Sequence, residues 1–190
     1  MTDFADTFRH VARNMTLVAD SEYVAAVERA TDLLYDVFKT GGKLLAFGNG
    51  GSSADAQHLT AELVGRFSVE RRPLPAIALT TNQAILTAWS NDYSFEDVFA
   101  RQVEALGRPG DVALGISTSG TSPNVLNALV RAREHGLRTI GLTGPSGGGM
   151  GAVCDVLLAV PVAGTARIQE VHLVTYHSMC ADLERRLFGG

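Results

Sequence analysis

From residue 43 onward, short runs that are apolar at nearly every position alternate with longer segments whose apolar residues recur at helical spacing. The runs are Lys43-Leu44-Leu45-Ala46-Phe47, Pro75-Ala76-Ile77-Ala78-Leu79, Asp111-Val112-Ala113-Leu114-Gly115-Ile116, Arg138-Thr139-Ile140-Gly141-Leu142 and Val156-Leu157-Leu158-Ala159-Val160. A strand covered on one face would alternate apolar with polar residues. These do not, which predicts strands covered on both faces, as in a parallel sheet. The intervening helical stretches span about 53–66, 83–106, 122–135 and 165–188. Such alternation, joined by right-handed crossovers, predicts an α/β fold with a doubly wound, mainly parallel, five-stranded sheet.

The first 40 residues read as two helices. Asp20-Ser21-Glu22 offers a cap, Val24, Val27, Leu33, Leu34, Val37 and Phe38 form an apolar stripe, and Gly41-Gly42 ends it. No linker, repeat or low-complexity tract breaks the 190 residues. One domain is expected, with N-terminal helices over 1–40 and an α/β core over 41–188.

Composition narrows the class. With 46% hydrophobic and 19% charged residues, the chain is rich enough in apolar side chains to form a core. The net charge of −4 and the isolated pairs Arg71-Arg72 and Arg185-Arg186 argue against binding to nucleic acid or anionic lipid. No apolar run approaches the roughly 20 residues that span a bilayer. The N-terminus lacks the layout of a signal peptide, and Cys154 and Cys180 form no CxxC pair. A cytoplasmic protein in a reducing compartment is the expectation.

Ligands of doubly wound folds sit at the carboxyl ends of the strands. Two loops there are unusual. Gly48-Asn49-Gly50-Gly51-Ser52-Ser53 can turn tightly and present N–H groups at a helix start, an arrangement that attracts anions. It is not a P-loop, since no Lys-Ser/Thr follows, and Leu79-Thr80-Thr81 offers no acid for a dinucleotide ribose. A plain strand–helix turn is the alternative. The second loop, Ser117-Thr118-Ser119-Gly120-Thr121-Ser122-Pro123-Asn124, places Ser122 as an N-cap before Pro123 at the first helical position. A cap explains Ser122 alone. The further hydroxyls and glycine before it suit a phosphate monoester.

His58 and Glu62, at i and i+4, share one helix face and could meet on one metal or one substrate; a surface ion pair is the alternative. On the last helix, Gln169, His172 and Tyr176 share one stripe, and Glu170 and His177 another. Helical arithmetic does not choose among them.

These segments together, with Asp55-Ala56-Gln57-His58, Gly65-Arg66-Phe67, Asn91-Asp92 and Arg167-Ile168-Gln169-Glu170, resemble the sugar isomerase (SIS) domain over about Leu44 to Leu183. Within it the chain is similar to the phosphoheptose isomerase family. The resemblance implies a flavodoxin-like sheet, a homotetramer with active sites between subunits, and one zinc per subunit. His58, Glu62, Gln169 and His177 would be its ligands; this is a weak donor set, so the zinc is expected to be labile. The resemblance further implies substrate contacts from Asn49, Gly50, Gly51, Glu62, Asn91, Asp92, Ser117, Thr118, Ser119, Ser122 and Gln169. Asn91-Asp92 could equally be turn residues.

The implied reaction is an aldose–ketose isomerisation of D-sedoheptulose 7-phosphate to D-glycero-D-manno-heptose 7-phosphate through an enediol, on the route to ADP-heptose. Glu62 would serve as the carbon base and His177 as the partnering acid/base. Some family members carry an acid where this chain has Ala166, which leaves ring opening unassigned. The alternative is a related non-catalytic adaptor that binds a replication initiator. That pattern lacks the carboxylate matching Glu62 and the histidine matching His177, and this chain has both.

Overall fold

The computed structural model describes residues 3–189. Two helices, α1 (Phe4–Ala19) and α2 (Tyr23–Lys39), precede β1 (Leu44–Gly48), α3 (Gly51–Val64) and β2 (Ala76–Ala78). Then follow α4 (Gln83–Asp92), a 3-10 turn (Phe95–Asp97), α5 (Val98–Leu106), β3 (Val112–Ser117) and α6 (Pro123–Glu134). β4 (Arg138–Thr143), a second 3-10 turn (Gly148–Ala152), β5 (Val156–Ala159) and the long α7 (Thr165–Phe188) complete the chain.

All five strands are parallel, in the order β2-β1-β3-β4-β5. The unbroken apolar runs now have their reason. Successive side chains of a strand point to opposite faces, and each face has its own helical cover. Leu44, Ala46, Val112, Leu114, Ile116, Ile140 and Leu142 pack with α2, α3 and α7. Leu45, Phe47 and Ala113 pack with α5 and α6. Phe47 stacks on Phe99 with ring centroids 5.5 Å apart.

Strand order reverses between β1 and β3: from β1 the chain moves outward to β2, and from β3 it moves the other way to β4 and β5. A crevice opens at the carboxyl ends of two such neighbours. Both unusual loops lie there, one after β1 and the other after β3.

Two local expectations need correction. The stretch 83–106 is two helices, broken at Tyr93-Ser94, where the Ser94 hydroxyl accepts from the Glu96 N–H at 3.0 Å. A side-chain cap there competes with continued helix. The helix after the first loop begins at Gly51 rather than Ser53, with Gly50 at φ 55° making the turn into it. The cap expected within Asp20-Ser21-Glu22 is supplied by Ser21, which accepts from the Tyr23 N–H at 3.3 Å, while the Glu22 side chain caps nothing. The strands keep their expected positions within a residue or two, and among the described residues no helix is long and apolar enough to cross a membrane.

Candidate functional site

α3 and α7 pack side by side and run in the same direction. Gly51 meets Gln169, His58 meets Tyr176 and His177, and the segment after α3 meets Glu184. At the middle level, His58, Glu62 and His177 each offer a ligand atom, and these atoms lie within 4.8 Å of one another. His58 Nε2 is 2.9 Å from Glu62 Oε1 and 3.5 Å from His177 Nε2. The rings of His58 and His177 meet edge to face with centroids 5.0 Å apart. The i, i+4 spacing on α3 thus gains a partner from the other end of the chain.

Behind this group sits Tyr176, fully buried, whose hydroxyl is 3.0 Å from His58 Nδ1 and 3.4 Å from Asp55 Oδ1. With Nδ1 held against the tyrosine, Nε2 is the nitrogen turned toward Glu62 and His177. Burial raises the Asp55 carboxyl above its ordinary range, and burial followed by the charge of Asp55 raises the Tyr176 phenol. Phe67 covers the far side of His177 with centroids 5.4 Å apart.

Phe67 is itself fixed. The carboxylate of Glu184 accepts from the N–H groups of Phe67, Ser68 and Val69 at 2.8–3.1 Å, from the Ser68 hydroxyl at 2.9 Å and from Arg71 Nε at 2.9 Å. Arg71 also donates to the carbonyls of Glu62 (2.7 Å) and Leu63 (2.8 Å), capping the end of α3. Both side chains are buried, at 1% and 3% exposed. Burial alone would raise the Glu184 carboxyl, but its donors hold it down at about 2.

The serine loop is organised around the Ser117 hydroxyl. It lies 2.9 Å from Ser122 Oγ and 3.3 Å from Ser119 Oγ, and accepts from the Gly120 N–H at 3.2 Å. Ser122 occupies the N-cap position before Pro123, yet its hydroxyl makes no bond to the helix. The expected side-chain cap is absent because that hydroxyl faces Ser117. A turn after β4 backs the loop: Gly144 N–H donates to the Thr118 carbonyl at 3.1 Å, and Gly149 N–H to the Gly120 carbonyl at 2.9 Å. Gly120 has φ 68°, and a Cβ there would strike the Gly147 carbonyl.

Gln169 lies elsewhere than the histidine group. Its amide sits directly over Gly51, where any Cβ would collide with it. Eight residues of helix, about 12 Å of rise, separate its backbone from that of His177. Within this chain Gln169 therefore stands at the glycine loop with Asn49 and Gly50. Asn91 and Asp92 end α4 on the exposed surface, bonded to each other at 2.9 Å and to neither loop among the described residues. Of the remaining α7 candidates, His172 is buried with Nε2 3.3 Å from the Thr143 carbonyl, and burial lowers it to about 4. Glu170 pairs with Arg167 at 2.6 Å.

Asn124, Asp55, Arg71 and Glu184 were not singled out from the sequence as site residues. Only Glu184 had a readable signal: an acid seven residues after His177 recurs on the same helix face.

The SIS domain family matches residues 7–144. The phosphoheptose isomerase of Geotalea daltonii is 59% identical over 169 residues, covering 89% of this chain and 86% of its own. That of a Bradyrhizobium strain is 51% identical over 193 residues and covers 98% of both. The solved structure of the Neisseria gonorrhoeae phosphoheptose isomerase superposes with a TM-score of 0.89 at 45% identity, over 95% of this chain and 96% of that one. A match of this extent, on a chain whose two strand-end loops and helix-borne histidines lie where described, has one reading: the chain belongs to the SIS domain family and, within it, to the phosphoheptose isomerases.

Proposed function

We propose that this isomerase interconverts D-sedoheptulose 7-phosphate and D-glycero-D-manno-heptose 7-phosphate through an enediol. The observation that carries the reading is the meeting of one carboxylate and two imidazoles from α3 and α7 within 4.8 Å, on a fold whose β1–β3 crevice carries a hydroxyl-lined loop. Nothing in the relatives supports the adaptor alternative.

The hydroxyls of Ser117, Ser119 and Ser122, with the positive end of the α6 dipole, suit the phosphate. Moving a carbonyl from C2 to C1 takes a proton from C1 and returns one to C2. Glu62 suits that transfer: His58 occupies Oε1, and Oε2 carries no hydrogen bond among the described residues. His177 would shuttle the proton between the two substrate oxygens, its ring steadied by Phe67.

Two imidazoles and a carboxylate at this spacing also fit zinc, which favours nitrogen and oxygen donors. His58, Glu62 and His177 would hold it. When bound, zinc lends positive charge to the substrate's carbonyl oxygen. Glu62 would then serve both as a ligand and as the base.

We place the enzyme in the cytoplasm as a homotetramer, with Asn91 and Asp92 serving a site shared between copies. What supports assembly is exposed apolar surface on α1 and α7: Phe4 is 79% exposed, Phe8 75% and Val174 49%. Both cysteines are free, in keeping with a reducing compartment.

The test offers sedoheptulose 7-phosphate to the purified enzyme in a coupled assay, with chelator and with added zinc. Turnover that falls with chelator and returns with zinc is the expected result. Glu62→Gln and His177→Gln should each abolish turnover while circular dichroism stays native. Near-normal rates in either variant would refute the assigned roles.

A further inference from the structure

The two strand-end loops are joined by side chains that the proposed chemistry leaves out. Asn49 Nδ2 donates to Asn124 Oδ1 at 2.8 Å, and Asn124 Nδ2 donates back to Asn49 Oδ1 at 2.9 Å. The result is a closed amide pair between residues 75 positions apart. Asn49 follows β1 in the glycine loop, and Asn124 is the second residue of α6, 2% exposed, just past the serine loop.

The need for such a link follows from the topology. Leaving β1, the chain turns into α3, which packs on one face of the sheet through Ala56, Leu59 and Leu63. Leaving β3, it turns into α6, which packs on the opposite face through Val125, Ala128 and Leu129. The loops thus diverge at the crevice where a ligand must touch both. The Ser117 hydroxyl braces the serine loop internally but does not reach the glycine loop. Each amide in the pair both gives and receives, so replacing either partner leaves the other, half-buried Asn49 or buried Asn124, without its mate.

We infer that Asn124 is a positioning residue for substrate binding: its reciprocal amide pair with Asn49 locks the glycine loop to the serine loop so that they act as one cradle. The Asn49 amide is thereby engaged by the protein, and the glycine loop meets substrate through backbone N–H groups. This inference rests on the proposed reading that the sugar phosphate binds across the two loops.

The experiment compares wild-type enzyme, Asn124→Ala, Asn49→Ala and the double variant in steady-state kinetics with sedoheptulose 7-phosphate. Inorganic phosphate binding is followed on the same proteins by thermal shift. Asn124→Ala should raise KM about tenfold with kcat changed less than threefold, and weaken phosphate binding in parallel. In the Asn49→Ala background the same change should add nothing, because the link is already broken. Asn124→Asp keeps the size and one hydrogen bond but sets two oxygens face to face; it should shift KM in the same direction and serves if Asn124→Ala does not fold. A KM within twofold of wild type for the Asn124 variants would overturn the inference, as would effects that multiply in the double variant or fall on kcat alone. Wild-type protein inactive on the sugar, with phosphate binding still following this pattern, would sink the functional reading and uphold the link.

Discussion

Replacing Glu184 by Gln tests how the ends of α3 and α7 are held together. The native carboxylate serves five donors, three of them backbone N–H groups of residues 67–69, and one of its oxygens faces Arg71 Nε. An amide of the same shape turns an NH2 toward those donors and leaves the Arg71 guanidinium buried without a counter-charge. Removing one partner of a buried pair typically costs about 3–5 kcal/mol. A second route gives a similar size. The carboxyl is held at about 2 against an ordinary 4.5, and each unit is about 1.4 kcal/mol, so the ionised form contributes about 3 kcal/mol at neutral pH. Because the folded value lies below the unfolded one, this contribution is complete above pH 4.5. It disappears as pH falls toward 2. Denaturant unfolding of wild type and Glu184→Gln, at one protein concentration and a series of pH values, measures the gap directly. It should be about 3 kcal/mol at pH 7 and less than half of that at pH 3. A gap under 1 kcal/mol at pH 7, or one that does not change with pH, would refute this account of the carboxylate.

Ser122→Ala should leave the unfolding midpoint nearly unchanged, since the lost hydroxyl caps no helix, while KM for the sugar phosphate rises several-fold; a drop of 1 kcal/mol or more would mean that it caps after all. Gly51→Ala drives a methyl into the Gln169 amide, so turnover should fall at least tenfold in a coupled assay while far-UV circular dichroism stays native. The ring signals of His172 should stay in the neutral form from pH 8 down to 5 by NMR, because burial lowers this group to about 4. Below pH 6.5 the unfolded chain gains a proton that the native ring refuses, so this residue weakens the fold as pH drops.

The architecture was open to reading because burial on two faces leaves a mark in the sequence. Leu44, Leu45, Ala46 and Phe47 are all buried, and no alternation survives. The break at Tyr93 was less visible, since apolar residues continue across it in Phe95, Val98 and Phe99 and only Ser94 hints at a new start. In the site, His58 and Glu62 were legible as a pair from spacing on one helix. Their meeting with His177 was not, because it depends on how far α7 lies along α3, a matter of packing that no local pattern records. Asn124 was hidden for the same reason: beside Pro123 at a helix start, an asparagine reads as ordinary local chemistry, and its partner is 75 residues away. The placement of Gln169 over Gly51 turned on the missing side chain of a glycine already explained by the turn.

The co-directional run of α3 and α7 matches Gly51 with Gln169, His58 with His177, and the exit of α3 with Glu184, like rungs between two rails. One residue inserted into either rail would rotate everything beyond it by 100° and advance it 1.5 Å. The imidazoles would part and the Glu184 anchor would miss its loop in a single event. Length changes over evolution are therefore expected to avoid 51–64 and 169–184 and to collect at sites such as the break after α4, where no opposing rung must be kept in register.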